Sequence, residues 1–323
     1  IRGSQSLFGV KAEFQLGKTF GTVVLSQQQG EARNIVVQGG GVMNNFKVNA
    51  IDYEENQHFF LGHYFLNTYD NALLNYPQIN SIINITRMEV WVLDQGNSNL
   101  AYQKSIIGIR DLGEGAGGGT MPDNSLNGLY DDISTAVGTR EAGKNYGTIL
   151  QGKTFAGSTE PYQNDEHFIF NSKARKLNSN EFVFQPQLGY ISLNQKLNDN
   201  QLLAVSYSYT VNGSNKVYKV GEFSEESPVL ITKVLRVNNK VNTQSPMWKL
   251  MMKNVYSLDA GQVSPDGFIL NVLYRDQKTG GKVNYLPDTS VKDLNLLKLF
   301  NWDRLNMNGD IQINKDGTNG GGV

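Results

Sequence analysis

Few side chains in this chain have the chemistry for catalysis or metal binding. The 323 residues hold three histidines and no cysteine, which removes thiolate metal sites, disulfides and cysteine nucleophiles together. His58 and His63 lie five apart in a segment that reads as helix, so they occupy different faces and cannot form the i, i+4 pair of a zinc site. Both read as helix-surface or packing residues; the third histidine is His167. Serines and threonines are plentiful, yet no Gly-x-Ser-x-Gly elbow is present. The carboxylate pairs Glu54-Glu55 and Asp131-Asp132 are adjacent in sequence and suit a solvated face.

Two glycine-bearing segments invite a ligand. A phosphate-cradling loop needs Lys-Ser/Thr at its end, whereas Gly113 to Gly119 runs into Thr120-Met121-Pro122. The cradle reading fails, and a flexible linker is expected there. Near the end, Asn306, Asn308, Asp310, Asn314 and Asp316 are oxygen ligands with glycines between them. Hard cations such as calcium use such loops. The spacing misses the acidic ligands at alternate positions, the glycine at six and the glutamate at twelve of an EF-hand, so a plain turn is favoured. Ca2+ is the one cofactor candidate; the expectation is no cofactor and no enzyme.

The elements that must position these residues are mostly strands. From Phe8 the even positions Phe8, Val10, Ala12, Phe14 and Leu16 are apolar, while Gly9, Lys11, Glu13 and Gln15 are small or polar. A turn at Gly17-Lys18-Thr19 leads to a second run, Phe20 to Gln27. One greasy and one wet face suit any half-buried sheet, and at this length they also suit a membrane-spanning hairpin. A strand at Arg33 to Gln38 follows. Residues Asp52 to Tyr76 then switch to three- and four-residue spacing, predicting an amphipathic helix with an aromatic face and a capping box at Asp52 and Glu55. Strands are expected at Asn84 to Leu93 and Gln103 to Leu112, with Trp91 on the polar face as an interface candidate, and a short helix between Asn124 and Thr135.

Alternation resumes at Phe182, with Pro186 as an interruption. After a turn at Leu197 to Asn200, Leu203, Val205, Tyr207, Tyr209 and Val211 face one way and Ala204, Ser206, Ser208 and Thr210 the other. This predicts a second hairpin of the first kind. A strand at Val229 to Arg236, a helix at Met247 to Leu258, a strand at Gly267 to Arg275 and a helix at Val291 to Phe300 complete the chain. The order hairpin, strand, helix, strand thus occurs twice, as an internal duplication or chance would give.

Composition agrees with a strand-rich protein: 34 Gly, 15 Tyr and 15 Phe against 8 Pro. A net charge of −1 offers nothing to nucleic acid or an anionic surface. No run of about 18 apolar residues exists, so no transmembrane helix is expected. The ends, Ile1-Arg2-Gly3 and Gly320-Gly321-Gly322-Val323, carry no signal peptide and lead us to expect a fragment of a longer protein.

Several phrases resemble a known family. The opening Arg2 to Lys11, then Ser26 to Glu31, Asn84 to Val92, Met247 to Tyr256 and Leu297 to Asn306 resemble, in order, the SprA/Sov family of type IX secretion translocons of Bacteroidetes. The resemblance implies a very large outer-membrane β-barrel at the cell surface that passes cargo carrying a C-terminal secretion domain. It also implies a PorV-like barrel and a periplasmic plug protein as partners, contact with outer-membrane lipid, a role in gliding motility, and no catalytic residues. The tail from Asn306 to Asp316 is richer in Asn than that family's acidic stretch.

The expected fold is therefore mainly β, a β-rich α+β arrangement of outer-membrane-type antiparallel hairpins with α+β inserts, part of a larger barrel. Residues 1–28 form one barrel-type hairpin, 29–180 an insert, 181–212 a second hairpin, and 213–323 an insert with an Asn/Asp/Gly-rich tail. The expected function is part of a protein-secretion channel. The alternatives are a soluble cell-surface or periplasmic β-rich binding module, in which Phe8, Val10, Ala12, Phe14, Leu16, Leu203, Val205, Tyr207 and Tyr209 face a core instead of lipid, and a carbohydrate-active enzyme for which no carboxylate pair can be nominated.

Overall fold

A computed structural model describes residues 7–16, 19–28, 36–38, 41–43, 46–75, 78–94, 103–135, 150, 152–154, 159, 161–163, 166–237, 246–258, 269–287, 290–291 and 294–300. The protein is mainly β, with several sheets and few helices. It divides into two units, Ile1–Ala50 and Ile51–Val323.

In the first unit, β1 (Leu7–Leu16) and β2 (Thr19–Gln28) are ten residues each and pair antiparallel along their whole length. The register puts Val10 opposite Leu25, Ala12 opposite Val23 and Phe14 opposite Gly21. The expected hairpin is present. The strand expected from Arg33 is described only as β3 (Val36–Gln38), which pairs with β4 (Gly41–Met43).

The second unit is built on a ring of strands. β6 (Ile83–Asp94) pairs with β11 (Gln201–Val211), β11 with β13 (Val229–Arg236), β13 with β7 (Gln103–Ile109), β7 with β8 (Phe168–Lys176), and β8 again with β6. The five strands close a small barrel, which removes the sheet edges. Beyond the end of β13, β12 (Val217–Val220) pairs with the same side of β11. Register shifts opposite Leu203/Ala204 and Ser208/Tyr209 of β11 leave one extra residue each, Leu235 in β13 and Thr86 in β6, and such bulges bend the strands that carry them. The β7–β13 pair is parallel, so its connection is a long crossover.

β13 is buried along its whole length, β11 over Leu202–Tyr209 and β6 over Glu89–Leu93. Trp91, Leu93, Ile106, Ile169, Ala174, Leu202, Ala204, Leu230 and Val234 form one cluster drawn from all five strands. The opposite faces, among them Val90, Ile107, Val205, Tyr207 and Ile231, pack with helix α1 (His63–Ala72), helix α2 (Leu129–Thr135) and a three-stranded sheet. Those elements lie outside the ring, so the first cluster faces its interior. The sheet has the order β5 (His58–Phe60), β10 (Tyr190–Leu193), β9 (Phe182–Gln185).

Several expectations change here. The second barrel-type hairpin over 181–212 does not form: β9 folds back on β10, and β11 pairs with β6, β12 and β13 instead. The break follows from the turn at residues 186–189, where Pro186 cannot donate to a ladder and Gly189 adopts φ +64. The duplication loses its support, because the matching strands have unlike partners. The helix expected over Asp52–Tyr76 begins only at His63, because β10 recruits His58–Phe60 as a strand. The helix expected from Met247 shrinks to α3 (Pro246–Leu250), since Met251 bridges Phe59 and Met252 N donates to His58 O at 2.9 Å. The late strand is described only at β14 (Tyr274–Arg275), paired with β15 (Lys282–Val283), and the last helix only at α4 (Leu296–Leu299), capped by Asn295. Among the described residues no helix is long and apolar enough to cross a membrane.

Gly189 joins the layers. Its carbonyl accepts from Leu61 N at 3.0 Å, and a Cβ there would lie 2.0 Å from Cδ1 of Phe65. Gly189→Ala therefore combines a left-handed backbone with a clash inside the core. It is expected to lower stability by about 2–4 kcal/mol, read as a fall in the urea midpoint at unchanged slope.

Candidate functional site

Two hydrogen-bonded constellations in the second unit bring chemistry together. The first is centred on Lys233 in β13, whose side chain is 0% exposed. Lys233 Nζ donates to the carbonyls of Arg110 and Leu112, both at 3.3 Å, and to Glu114 Oε1 at 2.7 Å. An enclosed ammonium needs such an anion and such acceptors. Glu114 belongs to the glycine-rich segment expected to be a flexible linker. It is instead buried, and it anchors the loop to the barrel.

The same carboxylate serves helix α1. Gly62, the N-cap, has no side chain to cap with, and the backbone N–H of His63 donates to Glu114 Oε1 at 3.1 Å. A Cβ on Gly62 would come within 2.9 Å of that oxygen, so glycine is what admits the carboxylate. The helix thus receives its N-terminal anion from 51 residues away. His63 Nδ1 lies 2.5 Å from Glu114 Oε2, and His63 Nε2 donates to the Pro246 carbonyl at 3.1 Å, tying α3 to the cluster. Burial pushes the Glu114 carboxyl upward, but Lys233 and His63 outweigh it and hold it at about 2, against an ordinary 4.5.

The second constellation is a chain of three groups. His58 Nδ1 lies 2.8 Å from Ser192 Oγ, and His58 Nε2 lies 2.7 Å from Glu54 Oε2. The β5–β10 register places Ser192 directly opposite His58. Glu54 is held from the far side by its backbone N–H, which donates to Val255 O at 2.8 Å. The third histidine, His167, is 1% exposed, and its Nδ1 accepts from Gln163 N at 2.9 Å.

The residues singled out from sequence fall as follows. Leu203, Val205, Tyr207 and Tyr209 are each 0% exposed and covered by protein, and Ala204, Ser206 and Ser208 on the other face of β11 are buried as well. Phe8, Val10, Ala12, Phe14 and Leu16 lie on β1, but their side chains are outside the described residues. So are the calcium candidates Asn306, Asn308, Asp310, Asn314 and Asp316. Among the described residues no group of three or more His, Asp or Glu could hold a metal. Trp91 is no surface anchor: it is 2% exposed inside the ring. Sequence reasoning missed Glu114, Lys233 and Ser192. One signal was available for Lys233, a lone charge inside the apolar run Val229 to Leu235.

The sign of the pH dependence follows from Glu114. A carboxyl held below its ordinary value contributes stability that is complete above about pH 4.5 and lost as pH falls toward 2, on the order of 3 kcal/mol in all. Urea midpoints of the native chain between pH 6 and 2.5 should fall along this window. Glu114→Gln should flatten that part of the profile and lower stability at neutral pH by about 3–5 kcal/mol, because it leaves Lys233 enclosed without an anion.

No curated protein matches the chain. Residues 2–113, which include the β1–β2 hairpin, helix α1, strands β6 and β7 and the start of the Glu114 loop, match the SprA_N family, described as motility related/secretion protein. Over that span, about a third of the chain, the protein is similar to the SprA_N family.

Proposed function

We propose that this chain is part of an outer-membrane protein-secretion channel, the translocon of a type IX system, that delivers cargo to the bacterial cell surface and supports gliding motility. The observation that carries this reading is the position of the SprA_N match, which covers a hairpin of two ten-residue strands in continuous register. Strands of about 9–11 residues are what a tilted membrane-spanning strand requires. Alternation in the sequence of β1 suits lipid on one side and a wet lumen on the other. A two-stranded ribbon is marginal alone and has two open edges, so the hairpin needs neighbouring wall strands. Cargo with a C-terminal secretion domain, a PorV-like barrel, a plug protein and outer-membrane lipid are the partners of this role. Passing cargo through a pore needs no bond chemistry and no cofactor.

The second unit favours a different environment. Its central strands β11 and β13 are covered by protein on both faces, as in a water-exposed domain, so we assign it to an insert outside the bilayer. That observation also favours the second reading, a soluble cell-surface or periplasmic module.

Because the chain has no cysteine, any introduced thiol is unique. Val10→Cys and Phe14→Cys should be reached by a bilayer-partitioning probe in outer-membrane preparations, and Lys11→Cys and Glu13→Cys by a water-soluble maleimide. Equal reaction of all four with the water-soluble reagent, together with a folded, monodisperse chain in detergent-free buffer, would establish the soluble module instead.

A further inference from the structure

We propose that Ser192, His58 and Glu54 form a nucleophilic triad that accepts acyl groups from small esters, an activity separate from transport. A carboxylate can only accept hydrogen bonds, so Glu54 keeps a hydrogen on His58 Nε2, 2.7 Å away. The lone pair then lies on Nδ1, 2.8 Å from the Ser192 hydroxyl. A hydroxyl, a base within hydrogen-bond reach and a third group that orients the base are the parts of an activated serine. The ring is used in the opposite sense from the common arrangement, in which Nε2 faces the serine; the division of labour is the same.

The placement is built into the sheet. Leu193 N donates to Gln57 O at 2.9 Å, so the adjacent pair Ser192/His58 is the non-hydrogen-bonded kind, in which side chains approach most closely. The opposite face, with Phe59 and Ile191, is locked in the core. His58 is 7% exposed, which shields the base, while Ser192 and Glu54 are half-buried and reach solvent. On its other side Ser192 sits opposite Val183 of β9, which is 65% exposed and offers an apolar wall to an acyl chain.

In the first step Ser192 Oγ bonds to the ester carbonyl carbon while its proton moves to His58 Nδ1. The bond from that carbon to the alcohol oxygen breaks, and the alcohol leaves with the proton from Nδ1. Water then attacks the Ser192 ester by the same route, releasing the carboxylic acid and restoring the hydroxyl. Ser192 and His58 are catalytic residues in this scheme, and Glu54 is a positioning residue.

The test uses the whole chain with a fluorophosphonate probe, which captures activated serines, and p-nitrophenyl acetate as the ester. A phosphonyl adduct on Ser192 is expected by peptide mass spectrometry. Ser192→Ala should abolish the adduct, and His58→Gln should slow capture by about a hundredfold or more. Glu54→Gln should slow ester cleavage and move the pH at which its rate rises, with Glu54→Asp restoring part of both. A folded native chain whose Ser192 remains unmodified overturns the proposal. So does capture at an unchanged rate in a folded His58→Gln variant. Ser192→Ala deletes a single oxygen, so the adduct test stands even if the histidine variant does not fold.

Discussion

An enclosed ammonium organises the second unit. Lys233 stands in a strand buried over its full length, and removing its charge from water would be prohibitive without an anion and acceptors nearby. Glu114 supplies the anion, and the carbonyls of Arg110 and Leu112 supply the rest. To reach Lys233, the loop after β7 must fold back over the barrel. The carboxylate that neutralises Lys233 also receives the first N–H of α1, so one group fixes a strand, a loop and a helix terminus. Gly62 leaves room for that close approach.

The second constraint is closure. A five-strand ring leaves no open edge between its members, and the helices and the three-stranded sheet then cover its outer face. Hence β11, with tyrosines and leucine on one face and small residues on the other, is buried on both. In a membrane wall the apolar face would meet lipid, and the small hydroxylated face would meet water. Here Tyr207 instead lies edge-on to Phe65 of α1, with ring centroids 6.1 Å apart, and Tyr209 OH donates to the Pro122 carbonyl at 2.5 Å. The β1–β2 ribbon is a two-stranded sheet.

What could be read in advance was local. The ten-residue hairpin, the strands at Ile83–Asp94 and Val229–Arg236 and the aromatic face of α1 depend on alternation, turns and helical spacing, which act between near neighbours. The failures came where distant segments competed for the same backbone. His58–Phe60 carries a helical spacing yet pairs with β10, over 130 residues away, and Met251 ends α3 by bridging Phe59. The Gly113–Gly119 segment looked like a linker because glycine spacing says nothing about a lysine 119 residues further on. Serine and histidine were discounted for want of a motif, but Ser192 and His58 meet through strand register alone.

By itself, the amino-acid sequence determined a strand-rich chain without thiol chemistry, the pairing of its first hairpin, and a similarity over its opening residues to a family described as motility related/secretion protein. The first two rest on residue type and on periods of two to four residues, and the third on similarity to a family. Only the tertiary structure decided which strands close the ring, that both faces of β11 are dry, that Glu114 answers Lys233, and that Ser192, His58 and Glu54 form a chain. Those outcomes depend on which distant backbones share hydrogen bonds and which buried charges must be neutralised, and neither is a property of any local stretch.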